Sequence, residues 1–560
     1  MTIATLDPTL SISPQLTLDG VDFAAARGVA MIINNRPDGE EPGQPTSAAL
    51  AARAHAANIA YRHIPVVPGQ IGDEAIAQFA AARAEATGPI LAFCRTGTRS
   101  ATLWGLTESG QRTPAAILAT AHAAGYDLST IAARLAAATA PSAGARHDVV
   151  IVGGGSAGIA TAASLLARDR TLGIVIVEPR EDHYYQPGWT MVGGGVFDRA
   201  ATRRNEATVM PDGVIWIKGA VSTFQPAIDQ VTLVDGTTLS YRALVVAPGN
   251  VLDWGAIDGL TDTLGRNGVT SNYSYDTAPY TWELVQQLRG GVALFTQPPM
   301  PIKCAGAPQK AMYLSCDHWR RQDVLDDIDV AFHTAGKVLF GVADYVPALM
   351  TYVDRYGIDL AFESTLIAVD GPARTATFRE AAGEVTKSFD MLHVTPPQTA
   401  PAFVAHSPLA NAAGYVDVDQ ATLQHIRYPN VFGLGDAGSM PNAKTMAAAR
   451  KQAPIVAENL IATLTGKQPD AIYDGYGSCP LTVERGKIVL AEFGYGGKLL
   501  PSFPGWLIDG TQPRRLSWLL KSEALPWIYW NGMLKGHEWM AHPAHRPPAP
   551  AAAAIPAAAA

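Results

Sequence analysis

The sequence predicts an α/β protein made of several domains. With 560 residues, the chain exceeds what one hydrophobic core usually supports, so two to four domains are expected. Short apolar runs that suit buried parallel strands alternate with Ala-rich helical segments. Over residues 148–178 a strand, a glycine turn, a helix and a second strand follow in the order of a βαβ unit. The predicted parts are a small α/β domain (1–115), a helical and Pro/Ala/Gly linker (116–147), a larger α/β region that begins with the βαβ unit (148–490), amphipathic helices (491–541) and a disordered tail (542–560).

The first part carries a reactive-cysteine pattern. A predicted strand at 89–94 ends on Cys94, and Gly97, Arg99 and Ser100 then lead into a predicted helix. Backbone N–H groups in such a turn and the N-terminus of the helix would hold an anion and favour a thiolate. Cys94 and Arg99 are therefore candidate catalytic residues.

Residues 1 to about 110 resemble the protein-tyrosine-phosphatase-like domains of bacteria that are often fused to sulfur-metabolism enzymes. Phosphatases of that superfamily keep five residues between the cysteine and the arginine, whereas four residues separate Cys94 from Arg99. The shorter loop looks like the active loop of rhodaneses, which carries a sulfane sulfur on the cysteine. We therefore favour sulfur transfer at Cys94. Phosphate-ester hydrolysis is the alternative, with Asp73 as the nearest candidate for a general acid.

The central βαβ unit predicts a dinucleotide site. Gly153, Gly155 and Gly158 have the G-x-G-x-x-G spacing, and Glu178 ends the second strand twenty residues after the last glycine. The glycines let the backbone approach a pyrophosphate, the helix N-terminus offers N–H groups, and the acid accepts from a ribose hydroxyl. The candidate binding residues of this unit are Gly153, Gly155, Ser156, Ala157, Gly158 and Glu178.

Two later strands favour FAD over NAD at this site. The run 244–249 ends in Ala247, Pro248 and Gly249, and the run 431–436 ends in Asp436. In this order the three signals resemble the flavoprotein reductases that have two dinucleotide domains. The resemblance implies that Asp436 orients FAD and that the nearby Lys444 also belongs to the cofactor site.

The middle of the chain argues against a nicotinamide donor. The strand at 292–295 leads into TQPPMPIKCAGAPQK, where phosphate-cradling glycines are missing and Cys304 stands instead. This stretch, together with VVIVGGGSAGI, HYYQPGWTMVGGG, GDAGSMPNAKTMAAA and YDGYGSCPL, resembles the sulfide:quinone oxidoreductases, particularly the group that includes the mitochondrial enzymes. The likeness covers residues 147 to about 540. It implies two Rossmann-type domains, non-covalent FAD, sulfide as the donor and a membrane quinone as the acceptor.

The resemblance also implies two cysteines beside the flavin, one matching Cys304 and one directly after the Gly-Asp pair. Ala437 occupies the second position, so we expect Cys304 to act alone or with Cys316 as a resolving partner. Cys316 lies in the helix-like stretch AMYLSCDHW, however, which favours a buried packing role over a resolving one. We interpret Cys479 as structural. Lys303 and Lys310 are candidates for stabilising a thiolate or reduced flavin.

The fusion of the two parts suggests a sulfur relay. Sulfane sulfur formed at Cys304, or on a small thiol acceptor, could be received by Cys94, because linking two sites raises their effective concentration.

The C-terminal part predicts contact with a membrane surface. Residues 499–540 interleave tryptophans and apolar residues with Arg514, Arg515, Lys521 and Lys535. This pattern is typical of helices that lie in the membrane interface. A lid on the protein's own core or a face for a homo-oligomer is the alternative.

Composition excludes several function classes. A net charge of −8 and a pI near 5.9 leave no broad basic face for nucleic acid. The four cysteines are too few and too far apart for a zinc site or a disulfide framework, so we expect no metal. No secretory signal is apparent, which predicts exposure to the cytoplasm. Together with the interfacial C-terminal helices and the resemblance to bacterial domains, this predicts a peripheral protein on the cytoplasmic side of a bacterial inner membrane.

Two alternative functions stay open for the flavin part. It could be a non-catalytic sensing module, with Cys94 the catalytic residue of the chain, or a quinone reductase that uses another donor such as NADH.

Overall fold

The computed structural model describes residues 3–546 except 68, 70, 110, 111, 113, 133, 136–145, 442 and 443. The chain divides into two compact units, Met1–Ser142 with Asp212–Trp216 and Ala143–Pro211 with Ile217–Ala560.

The first unit is built on a sheet of five strands in the order β1-β2-β5-β3-β4. Its elements are β1 (Ala4–Thr5), β2 (Leu10–Ser13), α1 (Leu18–Ala26), β3 (Met31–Asn34), α2 (Ser47–Ala56), β4 (Ala60–His63), α3 (Asp73–Glu85), β5 (Ile90–Phe93), α4 (Thr98–Thr107) and α5 (Pro114–Ala123). Strands β2, β5, β3 and β4 are parallel. Both faces of β5 are covered, since Ile90 and Ala92 lie in one core cluster and Leu91 and Phe93 in another.

This unit continues beyond the predicted boundary at 115. Four apolar side chains of the predicted linker, Ile117, Ala121, Leu128 and Leu135, are buried in the core of the first unit. The Ala-rich segment therefore packs as a helix and turn of the domain instead of connecting it to the next. Residues 136–145, which hold most of the predicted APSAGARH linker, lie outside the described residues.

The second unit carries two larger sheets, one with a parallel core and two antiparallel-paired strands (Val221–Gln225 and Gln230–Leu233) beside it and one entirely parallel, as expected for two Rossmann-type domains. The remaining helices are α6 (Ser156–Arg168), α7 (Trp189–Gly193), α8 (Ala278–Gln287), α9 (Ala307–Arg321), α10 (Val346–Tyr356), α11 (Ala402–Ala405), α12 (Met446–Leu464), α13 (Arg515–Leu519) and α14 (Leu525–Asn531). The remaining strands are β6 (Arg146–Val152), β7 (Ile174–Val177), β8 (Asp182–Tyr184), β9 (Arg203–Asn205), β10 (Val214–Ile217), β11 (Val221–Gln225), β12 (Gln230–Leu233), β13 (Thr238–Val246), β14 (Val251–Leu252), β15 (Val269–Thr270), β16 (Gly291–Gln297), β17 (Ile328–Thr334), β18 (Asp359–Phe362), β19 (Thr365–Asp370), β20 (Thr375–Glu380), β21 (Gly383–Ser388), β22 (Met391–His393), β23 (Gln398–Thr399), β24 (Val431–Gly433), β25 (Ala471–Ile472), β26 (Gly477–Glu484), β27 (Lys487–Phe493) and β28 (Ala544–His545).

In the first of these sheets, β7, β6, β13 and β24 run parallel in that order. Their carboxyl ends therefore meet at one edge, where the glycine turn, the 247–249 turn and Asp436 follow β6, β13 and β24. The second sheet has the all-parallel order β15-β22-β16-β17-β18. The arrangement confirms the α/β fold class predicted from the βαβ pattern.

The C-terminal part forms short helices, α13 and α14, joined by a π-helical turn at Leu520–Ala524. In the described part of the chain, no helix combines the length and apolarity needed to cross a membrane. The predicted tail begins later than 542, because β28 pairs with β25 and His545 forms ion pairs with Asp470 and Glu458. Residues 547–560 of that tail lie outside the described residues.

Candidate active site

The glycine turn has the geometry of a dinucleotide cradle. Gly153 has a φ of +105°, and a Cβ there would lie 2.5 Å from the carbonyl oxygen of Ala247. A Cβ on Gly158 would lie 1.9 Å from the carbonyl oxygen of Gly153, so helix and strand can pack this closely only with glycine. Beside Gly155 the space for a Cβ is open. The Glu178 carboxylate accepts a hydrogen bond of 2.8 Å from the Gly154 N–H.

The rest of this edge supplies polar groups that suit FAD. Burial raises the pKa of Asp436, while the charges of Lys303 and Lys444 oppose the shift. The Lys444 ammonium donates to the carbonyl oxygens of Asp436 and Gly438, both at 2.8 Å. Next to the 247–249 turn, the buried amide oxygen and nitrogen of Asn250 have no hydrogen-bond partner among the described residues. An open cradle with unsatisfied polar atoms beside it fits a bound dinucleotide.

A pair of thiols lies close to these residues. Cys304 precedes helix α9 in the left-handed conformation, with φ +49°, and its N–H donates to the Lys444 carbonyl oxygen at 2.8 Å. Cys479 lies on strand β26, and the two Sγ atoms are 3.9 Å apart. Cys304 is half-buried and Cys479 is buried.

The two thiols share one proton unequally. The pKa of Cys304 lies well below its usual range. The hydrogen bond from Cys479 lowers it most, burial opposes the shift, and the charge and hydrogen bond of Lys310 lower it further. The hydrogen bond to Cys304 and burial raise the pKa of Cys479 well above its usual range. The Lys310 Nζ lies 3.0 Å from the Cys304 Sγ. Cys304 is therefore the thiolate and Cys479 the thiol that donates to it.

The HYYQP stretch holds two further lysines of this site in place. The Lys303 Nζ donates to the Gln186 side-chain oxygen at 2.7 Å, and the Lys521 Nζ donates to the Pro187 carbonyl oxygen at 3.0 Å. Lys521 comes from the C-terminal π-helical turn, and burial lowers its pKa to about 7. Lys521, from a distant part of the chain, thus adds to the positive charge that Lys310 provides near Cys304.

The predicted partnership of Cys304 with Cys316 is not the one that the structure forms. Cys316 is fully buried on α9 in the apolar core beside Met312 and Trp319, and burial raises the pKa of its thiol. Cys479, interpreted from the sequence as structural, occupies the partner position. Ala437, directly after Asp436, is a buried alanine. The sequence carried one hint, a cysteine in a family-like stretch, but 175 residues separate it from Cys304.

The first unit forms a separate cysteine site at the carboxyl end of β5. The Cys94 Sγ accepts a hydrogen bond of 3.1 Å from the Gly97 N–H, and Gly97 has a φ of +94°. The two terminal nitrogens of Arg99 donate to the Glu40 carboxylate at 2.6 and 2.9 Å. Asp73 forms an ion pair with Arg134 at the surface.

Glu40 binds two arginines at this site. Arg36 donates to it at 2.7 Å. The hydrogen bond from Arg99, together with that from Arg36, lowers the pKa of Glu40 to about 2. Sequence reasoning missed Glu40, since NRPDGEE is an ordinary turn composition. Among the described residues, no group of three or more His, Cys, Asp or Glu side chains could hold a metal ion.

Comparison with known proteins assigns the larger part of the chain. Residues 147–277 match the family of pyridine nucleotide-disulphide oxidoreductases. Over 391 residues the chain is 42% identical to the mitochondrial sulfide:quinone oxidoreductase of Dictyostelium discoideum, covering 69% of this chain and 86% of that protein. The chain belongs to the sulfide:quinone oxidoreductase family. The Aquifex aeolicus sulfide:quinone oxidoreductase has the same fold at a TM-score of 0.57 and 19% identity, covering 69% of this chain and 92% of that chain.

The N-terminal part extends this sulfide:quinone oxidoreductase family member by a second domain. Residues 2–111 match the phosphatase-like domain of beta-lactamase hydrolase-like proteins. The Xylella fastidiosa (strain Temecula1) beta-lactamase hydrolase-like protein is 39% identical over 130 residues, which cover 23% of this chain and 30% of that protein. Both resemblances predicted from the motifs are confirmed.

Proposed function

We propose that this protein is an FAD-dependent enzyme that oxidises sulfide through the Cys304 and Cys479 pair, with a membrane quinone as electron acceptor. The observation that carries the proposal is the 3.9 Å separation of the two sulfur atoms, with the Lys310 ammonium 3.0 Å from the more acidic one. A thiolate and a thiol in contact are the reduced form of a disulfide redox centre. Loss of the expected thiol at Ala437 therefore does not remove the redox pair.

FAD supplies a two-electron acceptor that passes its electrons to quinone. The residues that would hold it are the 153–158 turn with Ser156 and Ala157, Glu178, the 247–249 turn, Asp436 and Lys444. The open space beside Gly155 would admit the pyrophosphate.

The acidity of Cys304 sets the direction of sulfur transfer. In the oxidised pair, sulfide attacks the Cys479 sulfur, a new S–S bond forms there, and the old bond breaks with its electron pair leaving on Cys304. The leaving thiol with the lower pKa leaves faster, and Cys304 is that thiol. Cys479 then carries the persulfide and Lys310 neutralises the Cys304 thiolate.

The cycle closes when a small acceptor thiol takes the outer sulfur. Attack by the acceptor breaks the persulfide bond, transfers the sulfane sulfur and leaves Cys479 as a thiol. Re-forming the disulfide between Cys304 and Cys479 releases two electrons and one proton. Quinone finally takes up two electrons and two protons.

Cys94 is proposed to receive sulfane sulfur from the product of this reaction. The four-residue spacing and the Gly97 N–H bond to the Cys94 sulfur suit a single sulfur atom on the cysteine. Both terminal nitrogens of Arg99 are already bound by Glu40, which opposes bidentate clamping of a phosphate. Sulfur transfer is therefore favoured over phosphate-ester hydrolysis.

The C-terminal part is proposed to dock on the cytoplasmic face of the inner membrane of a bacterium as a peripheral protein. Trp506 is 85% exposed and Trp527 56% exposed, and Leu519 lies exposed nearby in the sequence. Tryptophans at headgroup depth with apolar neighbours are typical of interfacial binding. Docking would bring the quinone pool within reach of the enzyme.

An anaerobic flavin titration tests the redox function. Sulfide should bleach the flavin absorbance of the wild type, and a short-chain quinone should restore it. Cys304→Ser and Cys479→Ser should each slow bleaching on the order of a hundredfold or more. Cys316→Ser is the matched control, because it removes a buried thiol outside the pair.

The same titration separates the alternatives. A wild-type flavin that sulfide leaves oxidised would assign the unit a sensing role, and bleaching by NADH would make it a quinone reductase with another donor. If Cys316→Ser abolished bleaching while Cys479→Ser did not, the assigned pair would be incorrect.

A further inference from the structure

The C-terminal helix reaches the glycine turn through a buried hydroxyl. Tyr529 lies on α14 with a fully buried side chain, and its hydroxyl is 2.7 Å from the Ser156 Oγ. Ser156 is the first residue of α6, the helix whose N-terminus follows the glycine turn. Tyr529 therefore contacts the cofactor cradle across 373 residues of sequence.

The contact is the end of a longer relay of buried polar groups. The Tyr529 hydroxyl is also 2.6 Å from the His183 Nε2, and the His183 Nδ1 is 3.2 Å from the Glu206 Oε2. The second oxygen, Glu206 Oε1, is buried without a hydrogen-bond partner among the described residues. It faces Gly154, since a Cβ built on that glycine would lie 2.7 Å from it. An unsatisfied carboxyl oxygen beside the turn indicates that the relay faces a ligand.

An anion at the turn would set the direction of this relay. A tyrosine or serine hydroxyl donates one hydrogen bond and accepts others. With negative charge beside Ser156, the favourable arrangement has His183 Nε2–H donating to Tyr529, Tyr529 donating to Ser156, and Ser156 donating to the anion. Burial raises the pKa of Glu206, although its interaction with His183 opposes the shift, so the carboxyl group can hold a proton at Oε2 and donate it to the His183 Nδ1. Each donor then polarises the next.

The segment that follows the helix of Tyr529 also binds α6. Beyond Tyr529, the Glu538 carboxylate accepts hydrogen bonds from Ser164 and Arg168 near the other end of α6. Arg168 also forms an ion pair with Glu458 at 2.7 Å. The segment from Tyr529 to Glu538 thus spans the length of α6 and fixes where the hydroxyl lies.

We propose that Tyr529 is a positioning residue for the pyrophosphate of FAD, and that it orients the Ser156 hydroxyl through the relay with His183 and Glu206. The inference rests on the proposed placement of FAD on the 153–158 turn. It makes retention of the cofactor depend on the C-terminal helix, for which the sequence predicted membrane docking, with a lid on the protein's own core or an oligomer face as the alternative. The ligand recognised is a dinucleotide pyrophosphate.

The test compares two tyrosines of one aromatic cluster. Tyr185 packs against Tyr529 with a centroid separation of 4.8 Å, and its buried hydroxyl has no partner among the described residues. Tyr529→Phe and Tyr185→Phe therefore each remove one buried hydroxyl, but only Tyr529→Phe removes a hydroxyl that belongs to the relay. FAD release from the full-length holoprotein is followed by flavin fluorescence, and the pyrophosphate environment by ³¹P NMR.

Tyr529→Phe should release FAD about tenfold faster and shift the pyrophosphate resonances, whereas Tyr185→Phe should match the wild type. Adding Ser156→Ala to Tyr529→Phe should change the release rate little further, because both act in one relay. Equal release from Tyr529→Phe and Tyr185→Phe, or additive effects in the double variant, would overturn the inference.

Glu178→Ala separates this inference from the placement of FAD. Faster FAD release from Glu178→Ala, with Tyr529→Phe behaving as wild type, would reject the relay and retain the placement. Unchanged release from both variants would reject the placement itself, and the inference with it.

Discussion

At the scale of single residues, the chemistry depends on where one proton resides. Cys304 and Cys479 are the same type of side chain, yet the pKa of Cys304 lies well below and that of Cys479 well above the usual range. The difference arises because Lys310 contacts Cys304 and because the thiol of Cys479 donates to it. An asymmetric pair gives sulfide one preferred sulfur to attack and one preferred leaving group.

Replacing Lys310 tests the source of this asymmetry. Lys310→Met should raise the pKa of Cys304, because a cation in contact with a thiolate stabilises the charged form. In the reduced wild type, Cys304 stays ionised well below the usual titration range of a thiol, so alkylation by iodoacetamide persists as the pH falls. The midpoint of the pH profile should move upward in the variant, measured by mass spectrometry of the Cys304 peptide. Lys310→Arg keeps the charge and serves as the control, and an unmoved midpoint in Lys310→Met would contradict the argument.

At the scale of elements, local patterns predicted the strands and turns. They did not predict the contacts between elements that are far apart in the sequence. The glycine turn, the strand before it and Glu178 were predictable because each rests on a short spacing with a steric reason. The Cys94 loop was predictable for the same reason. Cys479 was not, since its strand packs beside the Cys304 loop through a tertiary contact that no local periodicity encodes. The role of Tyr529 was not predictable either, because it depends on a tertiary contact. The composition of its helix suggests a membrane interface, although the tyrosine itself is buried in the protein.

The exposed side chains of the C-terminal helices provide a test at this scale. Leu519→Asp with Trp527→Asp should reduce binding to anionic lipid vesicles by about tenfold or more, because two apolar side chains would no longer enter the interface. Binding is measured by co-sedimentation with the vesicles. Val234→Asp, at a side chain 73% exposed in the turn after β12, is the matched control. Sulfide should still bleach the flavin of all variants, and unchanged sedimentation of the double variant would contradict membrane docking.

At the scale of the whole molecule, two cysteine sites share one polypeptide. The larger unit belongs to the sulfide:quinone oxidoreductase family, and residues 2–111 match the phosphatase-like domain of beta-lactamase hydrolase-like proteins. The motifs sufficed to predict both, because each family has a local signature. The motifs did not indicate that Arg99 is already neutralised by Glu40, a contact made across 59 residues of the first unit.

The sulfur relay is tested in the full-length chain with Cys94→Ser. This variant should keep the wild-type rate of flavin bleaching by sulfide, because the Cys304 and Cys479 pair is intact. With glutathione as the small acceptor thiol, it should leave more glutathione persulfide in solution than the wild type does, since the linked site that takes up the sulfane sulfur is lost. Persulfide is measured by monobromobimane trapping and mass spectrometry, with Cys316→Ser as the control. Equal persulfide formation in Cys94→Ser and the control would show that Cys94 takes no part in the transfer.

Lys521 and Tyr529 have a consequence for the order in which the protein is made. The ribosome makes the glycine turn, Cys304 and Cys479 before it reaches Lys521 and Tyr529. The side chains of these last two residues bind Pro187 and Ser156, respectively. A growing chain therefore exposes Cys304 before its last neighbouring cation is available and Ser156 before its hydroxyl is oriented. Thiol reactivity and cofactor retention thus mature together, while the nine residues from Lys521 to Tyr529 are added.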